Sequence, residues 1–197
     1  MKALFQGAGL IPDDPQIARQ AQDLVKDYPW DFIIGSTHQI PLGQGGPYVD
    51  PANPAAAPQI WAHFRSVQEL VGVYYETVRK NIEQFDLCHC IGHIDYISRY
   101  VPRISRSAPM EQLPYRFEDH REQIDQILEA AVGKGIAIEV NTGGLCKGTG
   151  QTNPEDRIVR RYLALGGKKL TYGSDAHRPE HVGFGFETLP DYEAMRL

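Results

Sequence analysis

Four segments of the chain follow one plan: a short apolar run, then polar residues able to do chemistry. They are "WDFIIGSTH" (30–38), "FDLCHCIGHID" (85–95), "GIAIEVNTGGL" (135–145) and "KKLTYGSDAH" (168–177). Unbroken runs of Ile, Val, Leu and Phe suit strands buried on both faces of a parallel sheet. Helical spacing fills the gaps between them. Val67, Leu70, Val71, Tyr74, Val78 and Ile82 share one face over 63–84, and Ile124, Ile127, Leu128 and Ala131 share another over 116–135. Gly133 and Gly135 are stop signals for the second helix. A third spans 153–167, with Asn153 as its cap and Pro154 in its first turn, and a weaker one covers 12–29. Alternating units of this kind predict an α/β fold with a parallel sheet, open or closed into a barrel. Residues 39–61, rich in Pro, Gly and Ala, read as a lid over the strand ends or a mobile excursion.

The length of 197 residues fits one domain, residues 1–197, with no linker to divide it. A net charge of -5 without a Lys/Arg block argues against a nucleic-acid footprint. No run approaches the roughly 20 apolar residues that span a bilayer, and no basic-then-apolar pattern of a secretory signal is found, so neither a span nor a signal is expected. Three cysteines, two of them separated only by His89, do not form a disulfide framework, so a cytoplasmic location is expected.

The polar clusters follow their strands, where parallel α/β folds gather active sites. Asp175 and His177 stand two apart; if the strand geometry continues, both side chains point at one spot. The bland alternative is an Asp175 helix cap beside a surface histidine. His38 ends another strand, and His93 with Asp95 ends a third. Ligands from three strand ends are hard to explain as caps, and imidazole with carboxylate is a donor set for borderline divalent metals. Cys88 and Cys90 alternate with His89 within a strand, so they are expected in the core rather than in a zinc knuckle. His63, His120 and His181 are expected at the surface. Glu139 falls mid-strand and is not assigned to catalysis, whereas Asn141 and Thr142 lie nearer the mouth, within reach of a ligand. "GTGQTNP" (148–154) is a glycine turn without the Lys-Ser/Thr ending of a phosphate loop.

In this order, Gly-Ser-x-His, Gly-His-Ile-Asp, Glu-Val-Asn-Thr and Gly-Ser-Asp-Ala-His resemble the polymerase and histidinol phosphatase (PHP) superfamily, most closely its histidinol-phosphatase branch. The resemblance covers residues 7–186. It implies a distorted, TIM-like β/α barrel of seven units around divalent metals (zinc, manganese or iron). It also implies hydrolysis of histidinol phosphate, a step of histidine biosynthesis, by a metal-activated hydroxide. Carried over by position, His38, His93, Asp175 and His177 match metal ligands, and Asp95 an outer partner. The resemblance also implies a phosphate-facing position for Arg99 and a substitute cation in Lys147; with Asn141, placed near the strand mouth, they are the expected contacts of a small phosphorylated substrate. Cys146 stands where the family carries an arginine, beside Lys147. A lysine lacks the arginine's planar fork for phosphate.

The family's opening His-x-His strand and its later Ser-Asp-His segment have no counterpart here. Gly9 stands where a metal-bridging glutamate is expected. The chain therefore resembles the C-terminal two-thirds of such a barrel, incomplete at its N-terminus. Exposed sheet edges of that kind favour a homo-oligomer. Two readings remain beside the phosphatase: a metal-binding or scaffold relative that does not turn over substrate, and a PHP-type nuclease or other phosphoesterase.

Overall fold

A computed structural model describes residues 3–4, 15–43, 45–85, 87–147 and 149–195. Gly9 lies outside the described residues. The chain begins with strand β1 (Ala3–Leu4), helix α1 (Pro15–Asp27) and strand β2 (Phe32–Gly35). Residues 39–61 are not a mobile excursion. They hold an antiparallel hairpin of β3 (Ile40–Pro41) and β4 (Tyr48–Val49), and they lead into α2 (Ala57–His63). This segment is packed down because Ile40, Val49, Ala56 and Ile60 are all buried in the core.

Helix α3 (Val67–Gln84) starts later than its periodicity predicts. Ser66 caps it, its Oγ accepting from Glu69 N at 3.1 Å, while Glu69 reaches back to Arg65 N at 2.8 Å. The first bond satisfies a donor that a helix start leaves open, and the second ties down the residue before the cap, fixing the break after α2. All six apolar residues of the predicted face are buried. Next come β5 (Cys90–Ile91), α4 (Val101–Arg106) and α5 (Arg121–Lys134). Gly133 lies inside α5, and Gly135 ends it in the left-handed region at φ 64°. Ile136 N then donates back to Ala131 O at 2.9 Å.

The chain closes with β6 (Ala137–Asn141), the short α6 (Gly143–Cys146), α7 (Asp156–Ala164) and β7 (Leu170–Gly173). Helix α7 begins after Glu155, so Asn153 is not its cap. Asn153 pairs instead with Asn141 in a β-bridge, with N···O distances of 2.9 and 2.8 Å. Arg161 of α7 donates to both carboxylate oxygens of Asp125 on α5, at 2.7 and 2.9 Å.

The main sheet has five strands in the order β1-β2-β5-β6-β7, every pairing parallel. Neighbours in space follow one another along the chain without reversal, as in β/α barrels and unlike doubly wound sheets. Among the described residues no pairing joins β7 to β1, so the sheet is open. Burial follows that geometry. All of β6 is buried, whereas Tyr172 on the edge strand β7 is 41% exposed, against the expectation that every strand is covered on both faces. Cys88 and Cys90 are buried, as their alternation with exposed His89 predicts. His120 departs from its expected surface position. It is buried beside Tyr75 and Tyr115, with Nδ1 3.0 Å from Gln123 Oε1. No helix among the described residues is long and apolar enough to cross a membrane.

A side chain at φ 64° costs about 1–2 kcal/mol. Gly135→Ala is therefore expected to lower the unfolding free energy by about that amount, measured by urea denaturation.

Candidate active site

The C-terminal ends of β2, β5, β6 and β7 carry the site. His38 and His93 face each other there, with their Nε2 atoms 3.2 Å apart. Tyr96 walls them in, its ring centroid 4.6 Å from that of His38 and 5.0 Å from that of His93. His93 is buried, and among the described residues its Nδ1 has no hydrogen-bond partner. Burial pushes its pKa down to about 3, helped by the charge of Arg99. An imidazole kept neutral can offer a ring nitrogen to a cation, and Nε2, facing His38, is the one placed to do so.

Arg99 lies against Tyr96, its guanidinium carbon 5.7 Å from the ring centroid, at the end of a short turn, Tyr96–Arg99, that follows β5. Its side chain is only 2% exposed. Nε donates to Asn153 Oδ1 at 2.6 Å, Nη2 to Asn141 Oδ1 at 2.9 Å and Nη1 to Asp175 Oδ2 at 2.9 Å. Lys147, more exposed, donates to the same Asp175 oxygen. Burial alone would raise the Asp175 carboxyl, but the Lys147 and Arg99 bonds outweigh it and hold the pKa at about 2.

Asp175 and His177 do not share a face. Asp175 takes φ 50°, which breaks the extended geometry that the i, i+2 argument requires. Its carboxylate turns to Arg99 and Lys147, while the His177 side chain is 77% exposed, with Nδ1 2.9 Å from the Asp175 carbonyl oxygen. Ser174 fixes the turn by accepting from Gly183 N at 3.1 Å. Among the described residues, His93 is the other non-glycine residue at positive φ, at 22°. Strain of about 1–3 kcal/mol per such residue is tolerated where the surroundings hold it, and here both residues lie in one site.

Among the described residues, no group of three or more His, Cys, Asp and Glu is gathered closely enough to hold a metal ion. His38 and His93 form a two-nitrogen nucleus, Asp175 is engaged by cations, and His177 points outward. The donor chemistry of that nucleus fits a borderline divalent ion.

Sequence reasoning passed over three residues. Glu139 accepts from His93 N at 2.9 Å, and burial raises its pKa against that bond and one from Asn141. Asn153 and Tyr96 shape the arginine and histidine halves of the site. Asp95, read as an outer partner, is fully buried and accepts from Asn153 Nδ2 at 2.7 Å and Glu155 N at 3.0 Å. Thr142 donates to Phe184 O at 2.6 Å and so braces the loop after β7.

The fold and the site together define an α/β protein whose polar centre lies at the C-terminal ends of a singly wound parallel sheet. No known family model matches the chain. It is 38% identical over 101 residues to a protein of Thermotoga maritima named as a histidinol-phosphatase, covering 51% of this chain and 38% of that one. A Clostridium acetobutylicum protein with the same name is 27% identical over 172 residues, covering 87% of this chain and 60% of its own. Among solved structures, a Listeria monocytogenes protein described as a histidinol phosphatase superposes with TM-score 0.71 at 22% identity, covering 95% of this chain and 66% of that one. The Lactococcus lactis histidinol phosphate phosphatase, solved with zinc, L-histidinol and phosphate, gives TM-score 0.62 at 21% identity, over 95% and 60%. The chain is thus related in sequence to proteins named histidinol-phosphatases and shares their fold. It spans less than two thirds of the length of each of these four proteins.

A Cβ at Gly173 would lie 2.0 Å from Glu139 Oε1. Gly173→Ala is expected to displace that carboxylate, leave His93 N unsatisfied and cost about 1–3 kcal/mol, read from thermal unfolding.

Proposed function

We propose that the chain carries the active site of a metal-dependent phosphomonoester hydrolase of the histidinol-phosphatase type, on part of a PHP-type β/α barrel forming one domain and working in the cytoplasm. The observation that carries this reading is the meeting of His38 with His93, and of Arg99 and Lys147 with Asp175, at one end of the sheet. The sequence relationship to named histidinol-phosphatases supports the choice of substrate.

In this reading His38 and His93 would hold the divalent ion as they stand, Asp175 would join them on turning from Arg99 and Lys147, and His177 would complete the set only by swinging inward from its exposed position. Zinc, manganese and iron all suit such donors. A bound ion would supply an acidified water and shield charge on the phosphoryl oxygens. The remaining chemistry belongs to the chain's own groups. Arg99, pre-oriented and desolvated, takes phosphoryl oxygens as Asp175 releases it. Lys147 adds a second positive charge from the rim, without a guanidinium's fork. The Asn141 amide holds Arg99 in place, and Tyr96 limits the approach of solvent to the paired histidines. In the reaction a water oxygen bonds to phosphorus, the bond from phosphorus to the alcohol oxygen breaks, and histidinol leaves with a proton on that oxygen.

A second reading, a metal-binding or scaffolding relative without turnover, has one observation in its favour. The Asp175 carboxylate is already occupied by two cations, and three ligands are not gathered among the described residues. Phosphate release from histidinol phosphate, assayed with zinc or manganese, separates the two. Turnover supports the phosphatase; a folded, metal-loaded protein without turnover leaves the scaffold. With turnover established, His93→Ala is expected to reduce both bound metal and kcat, the latter by roughly 100-fold or more. Metal analysis alongside the rate assay checks this.

A further inference from the structure

We propose that Asn153 is a positioning residue, which through a polarity-matched contact with Asp95 fixes the direction in which Arg99 presents its guanidinium to a phosphoryl group. This rests on the reading of Arg99 as a phosphate-gripping residue.

The arrangement leaves the Asn153 amide one orientation. Arg99 Nε can only donate, so it must meet Asn153 Oδ1, at 2.6 Å. Asp95 receives donors on both oxygens, from Asn153 Nδ2 at 2.7 Å and from Glu155 N at 3.0 Å. Asn153 Nδ2 is also 3.1 Å from Ser98 Oγ. The amide is therefore acceptor on its arginine side and donor on its aspartate side. Asn153 and Asp95 are both fully buried, so water cannot substitute for either partner.

The backbone makes the contact directional. Asn153 is bridged in both directions to Asn141, whose own Oδ1 holds Arg99 Nη2 at 2.9 Å. Two amide oxygens on paired backbones thus hold the Nε and Nη2 edge of the guanidinium. Nη1 is left facing Asp175 at 2.9 Å. When the carboxylate moves away, Nη1 is the group that meets an incoming oxyanion, already oriented.

The polarity argument makes a swap informative. Asn153→Asp sets two carboxylates against each other. Asp95→Asn turns an amide N–H2 toward one of the two donors that the carboxylate accepted. Combining them restores the match on both sides. The carboxylate introduced at position 153 accepts from Arg99 and from the new amide at position 95, whose oxygen accepts from Glu155 N. Arg99 Nε–H exchange in the metal-free protein, assigned by its loss in Arg99→Lys, gives a direct readout. Apolar Asn153→Leu and the charged Asn153→Asp are each expected to speed that exchange about tenfold, with the double variant returning to within about threefold of wild type. Should Asn153→Leu not fold, Asn153→Ser carries the same comparison. In the rate assay, Asn153→Leu is expected to raise KM for histidinol phosphate about tenfold, more than it lowers kcat, and the double variant to recover it.

Unchanged Arg99 exchange in a folded Asn153 variant, or a double variant no better than Asn153→Asp, overturns the proposal. Absence of phosphatase activity in the wild type instead removes the functional reading, and the exchange measurement still decides the role of Asn153.

Discussion

The site depends on a guanidinium that is almost completely buried, its side chain only 2% exposed. Arg99 is held by two asparagine oxygens and one carboxylate, and nearly every other feature of the centre serves or results from that contact. An unpaired buried charge costs several kcal/mol, so the fold around Arg99 must supply acceptors in fixed places. It does so with β6, buried at every residue, and the bridge it makes to Asn153. The same cluster draws Asp175 out of extended geometry and toward the arginine. That leaves His38 and His93 together as the uncharged half of the centre.

This division into a cationic half and an imidazole half gives the site its chemistry. Anionic oxygens suit the first and a borderline metal suits the second. Backbone strain falls at the same two points, His93 and Asp175, and nowhere else among the described non-glycine residues. Such strain persists only where neighbours over-determine the conformation. The bond from His93 N to Glu139 and the ion pairs on Asp175 do so here.

Much of the fold was legible because hydrophobic periodicity reports burial directly. The faces of α3 and α5 and all four polar-tipped strands lie where their patterns place them. The misreadings arise where one residue's backbone angle or partner overrides the local pattern. Asp175 and His177 look convergent only if φ stays negative, and a single left-handed residue separates them. Asn153 before Pro154 has the look of a helix cap, yet its backbone finds Asn141 on β6, and α7 starts later. His120 is polar enough for the surface but is enclosed by two tyrosines that sequence spacing does not bring together. Arg99 and Lys147 came from the family resemblance. Their shared hold on Asp175 required three dimensions.

The central claim is that this one centre takes a divalent ion on its imidazole half and phosphate on its cationic half. A crystal of the chain grown with zinc and inorganic phosphate, with anomalous data collected at the zinc edge, tests it most directly. The account predicts an anomalous peak bonded to His38 and His93, Asp175 turned from Arg99, and phosphate within hydrogen-bond reach of Arg99 and Lys147. Zinc bound away from both histidines, with the Arg99–Asp175 pair intact and phosphate elsewhere, would contradict it.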